Sequence, residues 1–143
     1  MNLFDIGNEY YLAHCISCDF ALGKGIAKEF RNRGVAKALN HDYQKSLWEG
    51  KGYCFYTPLN DFKGVFNLVT KQKYWMKPTY ETLTQSLENM KRHILDHSDG
   101  SEVVKLAMPL IGCDLDRLTW SKVKEIINDV FAELNIDITI CYL

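Results

Sequence analysis

The sequence predicts an α/β fold, a three-layer α/β/α domain with a mixed, largely parallel sheet. Three observations lead there. Tyr11–Ser17 (YLAHCIS) and Val103–Met108 (VVKLAM) are short, mostly apolar runs, the pattern of strands buried on both faces. Each is followed by a glycine-bearing turn and then a helix start. Amphipathic helical stripes alternate with strand runs along the chain, with no repeat, low-complexity tract or Pro/Gly/Ser linker to mark a boundary, so residues 1–143 read as a single domain.

The elements follow in order. After Tyr11–Ser17 come Gly23 and Gly25, then a helix to about Arg33 with Ile26, Ala27 and Phe30 inward and Gly34 as its stop. Val35–Trp48 reads as a second helix, with Val35, Leu39, Tyr43 and Leu47 on one face. Gly50-Lys51-Gly52 is a turn, and Tyr53–Tyr56 and Val65–Val69 are strands. Pro78 and Thr79 open a long helix to about His97 whose apolar stripe is Leu83, Leu87, Met90 and Ile94. Thr119 is placed to N-cap a last helix with Trp120, Val123, Ile127, Val130 and Leu134 on its core face, and Ile136–Leu143 is a closing strand.

Composition narrows the function. The 143 residues are 47% hydrophobic and 24% charged, enough for a substantial core. With 17 basic and 18 acidic residues the net charge is -1, which gives no broad drive to bind nucleic acid directly or to bind a membrane surface. No apolar run approaches the roughly 20 residues of a membrane helix, and no signal-peptide pattern opens the chain, so a cytoplasmic protein is expected. The five cysteines are odd in number and sit mostly in strand-like contexts, as reduced thiols would. Cys15 and Cys18 form a C-x-x-C, but no second ligand pair is spaced for zinc, and packing is the expected role. Neither a metal nor a cofactor is expected.

Two loops carry the chemistry. Met108-Pro109-Leu110-Ile111-Gly112-Cys113-Asp114-Leu115-Asp116 runs from a strand through a glycine turn to a helix start, and Ala21-Leu22-Gly23-Lys24-Gly25-Ile26-Ala27 has the same design. Such loops present backbone N–H groups to a phosphate, and two together can hold a diphosphate. Each alone reads equally as a tight turn. Lys71 lies at a strand end, where a partly desolvated amine can attack an anomeric carbon; on position alone a solvated lysine is the commoner outcome. Asp116, four residues past Gly112, suits either an acid/base or a capping carboxylate. His14, inside a buried strand, reads as a hydrogen-bonded core residue. Tyr74 and Trp75 suit stacking on a ring or ordinary packing.

Five blocks in one order resemble the macrodomains, in the branch of the terminal ADP-ribose protein glycohydrolase (O-acyl-ADP-ribose deacylase-like). They are Leu12-Ala13-His14-Cys15-Ile16-Ser17, Gly23-Lys24-Gly25-Ile26-Ala27, Leu68-Val69-Thr70-Lys71, Lys77-Pro78-Thr79-Tyr80-Glu81 and Met108 through Leu118. The resemblance implies an ADP-ribose pocket with Gly23, Lys24, Gly25 and Ile26 on one wall and Ile111, Gly112, Cys113, Asp114 and Leu115 on the other. Ser17 would sit at the base of the first loop, and Leu3, Thr70 and Pro109 are counted with these ligand-binding positions. It further implies Lys71 as nucleophile on C1″ of the distal ribose and Asp116 as its acid/base partner. The reaction would remove terminal ADP-ribose from a glutamate or aspartate, or a related ester or nucleic-acid adduct, with no metal. ADP-ribosylated DNA thus stays open as a carrier.

The chain departs from the family pattern at two places. Met1 falls where the family ends its first strand, so that edge strand is expected to be missing, and the adenine-reading acid becomes Asn2, whose amide oxygen can still accept from the adenine amine. Asp114 stands where a glycine is common. Three other readings compete: an ADP-ribose-binding or sequestering module without turnover, an ADP-ribose-1″-phosphate phosphatase, and an interaction domain with no ligand.

Overall fold

The structure, a computed structural model, describes residues 2–19, 25–34, 48–98, 100–113 and 117–141, with only the backbone of 25–27. Among them, a 3-10 turn at Leu3–Asp5 leads to β1 (Tyr11–Ser17), α1 (Gly25–Asn32), β2 (Tyr53–Thr57), β3 (Gly64–Lys71), α2 (Tyr80–His97), β4 (Val104–Met108), α3 (Trp120–Val130) and β5 (Ile136–Ile140). The sheet order is β2-β3-β1-β4-β5. β3, β1, β4 and β5 run parallel and only β2 is antiparallel, against β3. No strand precedes β1 among the described residues; Asn2 supplies an isolated bridge instead.

Side-chain alternation along the strands builds the two outer layers. Ala13, Phe66, Leu68, Leu106 and Met108 face α2 and α3, which cover them with Leu83, Leu87, Met90 and Ile94, and with Val123, Ile127 and Val130. Their neighbours in sequence, Leu12, Val65 and Ala107, face the other way and pack with Phe30 of α1, Leu3 and Cys141. The predicted stripe of α2 is thus buried in full. Thr79 caps that helix: its Oγ1 accepts from Thr82 N–H and its own N–H donates to Thr82 Oγ1, each at 3.0 Å.

Several boundaries move. Lys71 is the last residue of β3 rather than the residue after it. Val103 lies outside β4 and is half exposed, because the ladder to β5 begins at Val104. α3 ends at Val130, so Leu134 packs from the following turn. Thr119 occupies the N-cap position of α3 but makes no side-chain cap bond. β5 stops at Ile140, and the helix expected over 35–48 lies, but for Trp48, outside the described residues. Cys15 packs against the α2 and α3 cluster, whereas Cys18 belongs to another cluster and its Sγ meets Tyr53 OH at 3.4 Å. Among the described residues no helix is long and apolar enough to cross a membrane.

A polar row crosses the sheet inside the α1-side core. Asn67 Nδ2 donates to Phe55 O (3.3 Å) and Thr57 Oγ1 (3.0 Å), which turns its Oδ1 toward β1 to accept from His14 Nε2 at 2.7 Å. That bond requires the Nε2–H tautomer. His14 Nδ1 then has no hydrogen-bond partner among the described residues, and the ring packs on Phe30, centroids 3.9 Å apart. Burial depresses the His14 pKa to about 4, with the Asn67 bond opposing more weakly. Between pH 6.5 and 4 the unfolded chain therefore binds a proton that the native state refuses, so stability falls as pH falls through that window. Urea unfolding at pH 5 should give about 2 kcal/mol less stability than at pH 7 from this group. His14→Gln should flatten that slope, and an equally steep slope in the variant would assign it elsewhere.

Candidate functional site at the carboxyl edge of the sheet

The site is built where two parallel strands part. β1 pairs with β4 only at Tyr11↔Leu106 and Leu12↔Ala107, yet it pairs with β3 all the way to Ser17↔Lys71. Beyond Leu12, residues Ala13 to Ser17 have no ladder partner on β4, a length of roughly 17 Å at strand rise. Pro109 follows the end of β4 and has no N–H to donate. From there the two chains leave toward opposite faces: β1 leads to α1, and β4 leads through its turn to α3. In a doubly covered sheet such a divergence is the crevice that ligands enter.

Lys71 belongs to this edge. Its backbone O accepts from Cys18 N–H at 2.8 Å, which closes the end of β3 onto β1, and its side chain is half-buried. Ser17, the last residue of β1, is buried; its Oγ donates to Asp19 Oδ1 at 2.5 Å. Asp19 Oδ2 accepts from Tyr74 N–H at 3.1 Å. One carboxylate thus ties the end of β1 to the segment after Lys71. Thr70 is buried, and its Oγ1 has no hydrogen-bond partner among the described residues.

The turn after β4 is folded by its own amides. Ile111 N–H donates to Pro109 O (2.8 Å), Cys113 N–H to Leu110 O (3.2 Å) and Leu118 N–H to Gly112 O (2.6 Å). The N–H groups of Ile111 and Cys113 therefore shape the turn. Ile111 is buried in the core, Pro109 and Cys113 are half-buried, and burial pushes the Cys113 thiol up. Gly112 has φ +74°, a backbone conformation that favours glycine; a Cβ there would also displace the end of the Leu118 side chain, 2.8 Å away.

Other expected positions divide. Gly25 and Ile26 open α1 at the same edge. Gly23, Lys24, Asp114, Leu115 and Asp116 lie outside the described residues. Leu3 is wholly buried in the cluster with Cys141 and Ala107, which leaves its backbone alone for any contact. Asn2 Oδ1 accepts from Phe4 N–H at 2.9 Å and caps the first turn. A shallow hollow of about 310 Å³ lined by Phe4, Asp5, Arg33 and Asp61 lies at the amino edge, away from Lys71. It is wide open, and Arg33 there is bonded to Glu29 and stacked on Phe4.

No family model matches the sequence. The chain is 42% identical over 131 residues to the ADP-ribose glycohydrolase OARD1 of Homo sapiens, covering 90% of this chain and 79% of the relative. It belongs to the ADP-ribose glycohydrolase branch of the macrodomains. Among solved structures, the macrodomain of Mycobacterium tuberculosis DarG superposes with a TM-score of 0.80 at 22% identity, over 100% of this chain and 94% of that one. Thermosipho africanus DarTG in complex with ADP-ribose superposes with a TM-score of 0.71 at 20% identity, over 99% of this chain and 40% of that one.

Two residues of this macrodomain's edge were not singled out from sequence. Asp19 is one; an acid two residues past the serine that ends a strand was its only signal. Tyr80 is the other. Its phenol oxygen accepts from Thr119 N–H at 3.0 Å, which anchors the α3 end of the turn to the first residue of α2. That bond holds the Tyr80 phenol below the usual range, and Lys122, 5.4 Å from the ring centre, adds to it. Tyr80→Phe keeps the ring and removes the acceptor. Thr119 amide exchange should then quicken by about tenfold or more at unchanged Tm, and unaltered exchange would show that the bond does not form in solution.

Proposed function

We propose that this macrodomain hydrolyses the ester between ADP-ribose and an acidic side chain, with Lys71 as nucleophile and Asp116 as its acid/base partner. The observation that carries the reading is the place of Lys71: it ends the strand paired to β1 at the edge where β1 and β4 diverge. The activity in the name of the human relative supports the reaction class, and the ADP-ribose in the DarTG complex supports the ligand.

The chemistry follows from the groups. The substrate's C1″ is an acetal carbon with a carboxylate leaving group. The uncharged Lys71 amine attacks C1″, the C1″–O bond breaks, and the acidic side chain departs as its carboxylate. Asp116 takes the amine proton, then returns it as water resolves the Lys71 adduct and frees ADP-ribose. Binding is the work of the crevice, and the reactive carbon comes with the substrate.

Lys71→Ala should abolish release of ADP-ribose from an ADP-ribosylated glutamyl peptide while calorimetry still records ADP-ribose binding. Full turnover by that variant would remove the covalent route. Absence of heat with high-micromolar ADP-ribose and the wild-type protein would remove the pocket. Phosphate release from ADP-ribose-1″-phosphate with no attack on the ester would replace the reaction with a phosphatase.

A further inference from the structure

Immediately after Lys71 the chain displays an apolar surface that the core does not use. Tyr74, Trp75 and Met76 are 62%, 69% and 36% exposed, the one run of consecutive exposed large apolar side chains among the described residues. Isolated exposed apolar residues are ordinary, but a contiguous aromatic pair with a methionine is a marker of contact with another molecule. The run is held in place at its base. Tyr74 N–H donates to Asp19 Oδ2, Met76 N–H closes a turn on Lys73 O at 3.0 Å, and Pro78 is buried at the start of α2. The aromatic side chains are therefore carried by a tied turn whose anchor, Asp19, is also the partner of Ser17.

The charge of the segment selects its occupant. From Thr70 to Pro78 the sequence contains Lys71, Lys73 and Lys77 and no acidic residue. An aromatic and methionine surface set among lysines suits an anionic partner that also offers apolar side chains. A nucleic-acid strand would need a longer cationic track, and a chain of net charge -1 supplies no long-range pull toward one. A short acidic stretch of polypeptide needs only one or two cations and an apolar contact.

We infer that Tyr74, Trp75 and Met76, with Lys73, form the docking surface for the acidic polypeptide that carries the ADP-ribosyl group, and that this surface sets preference among carriers without entering the chemical step. The inference rests on the hydrolase reading for the identity of the modified group, but the surface itself can be read without turnover. The small exposed side chains of a double alanine variant should leave the fold intact, because neither aromatic belongs to the core.

Two substrates separate the possibilities: an ADP-ribosylated acidic peptide of about ten residues, and an acetyl-sized ester of ADP-ribose with no peptide. In Tyr74→Ala/Trp75→Ala, KM for the peptide substrate should rise at least tenfold with kcat little changed, while both constants for the small ester stay at the wild-type values. An unchanged KM for the peptide, or an equal loss on both substrates, would overturn the docking surface. Anisotropy of the labelled, unmodified acidic peptide should show binding to the wild type that the double variant loses. If a single-stranded oligonucleotide binds the same surface more tightly than the peptide, the assigned partner is wrong. If neither ester is hydrolysed, the hydrolase reading fails, and the anisotropy result alone upholds or overturns the surface.

Discussion

The early end of the β1–β4 ladder is the constraint on which the rest of this macrodomain depends. Two ladder pairs hold β4 against β1, and the strands then separate, with Pro109 removing the next donor on β4. Past that point β1 stays paired to β3 as far as Lys71. A strand that loses its ladder to one neighbour at a sheet's carboxyl edge opens the crevice in which ligands of such sheets bind.

The two loops on either side of that divergence are stabilised differently. The β4 turn is closed by its own amides and fixed at its far foot by Tyr80. The β1 side is held by a side chain, the Asp19 carboxylate, which joins Ser17 to Tyr74. The described part of one turn is thus held by backbone bonds, and the other side by a cross-link between the exits of neighbouring strands. Deeper in the sheet, His14 and Asn67 fix the relative register of β1, β3 and β2 by a row of hydrogen bonds in which each partner has almost no alternative. A one-residue slip of β1 would put His14 among the aliphatic side chains of the other face, so this row guards the alignment of Ser17 with Lys71.

Where sequence reasoning missed a residue, the missing information was a neighbour. Asn67 sits in the apolar run VFNLV and looks like a misplaced polar group until β3 is set beside β1, where it meets His14, the residue that reads from sequence as a hydrogen-bonded core residue. Asp19, Tyr74 and Tyr80 were visible as residue types, yet their roles depend on distances between segments that lie 55 and 39 residues apart. Asn2 has a local role as well: its amide oxygen caps the turn that follows it.

The sequence by itself determined the α/β class, the strand and helix pattern, the buried stripe of α2 and the glycine at position 112, because these follow from periodicity and from what a single residue's backbone permits. It also determined, through five blocks of resemblance, the family. The tertiary structure decided which strand ends share an edge, that the β4 turn spends the amides of Ile111 and Cys113 on itself, and that Tyr74 to Met76 stand clear of the core beside Lys71. Those outcomes depend on strand order and on competition between distant groups for the same hydrogen bonds, which are properties of the assembled sheet and not of any segment within it.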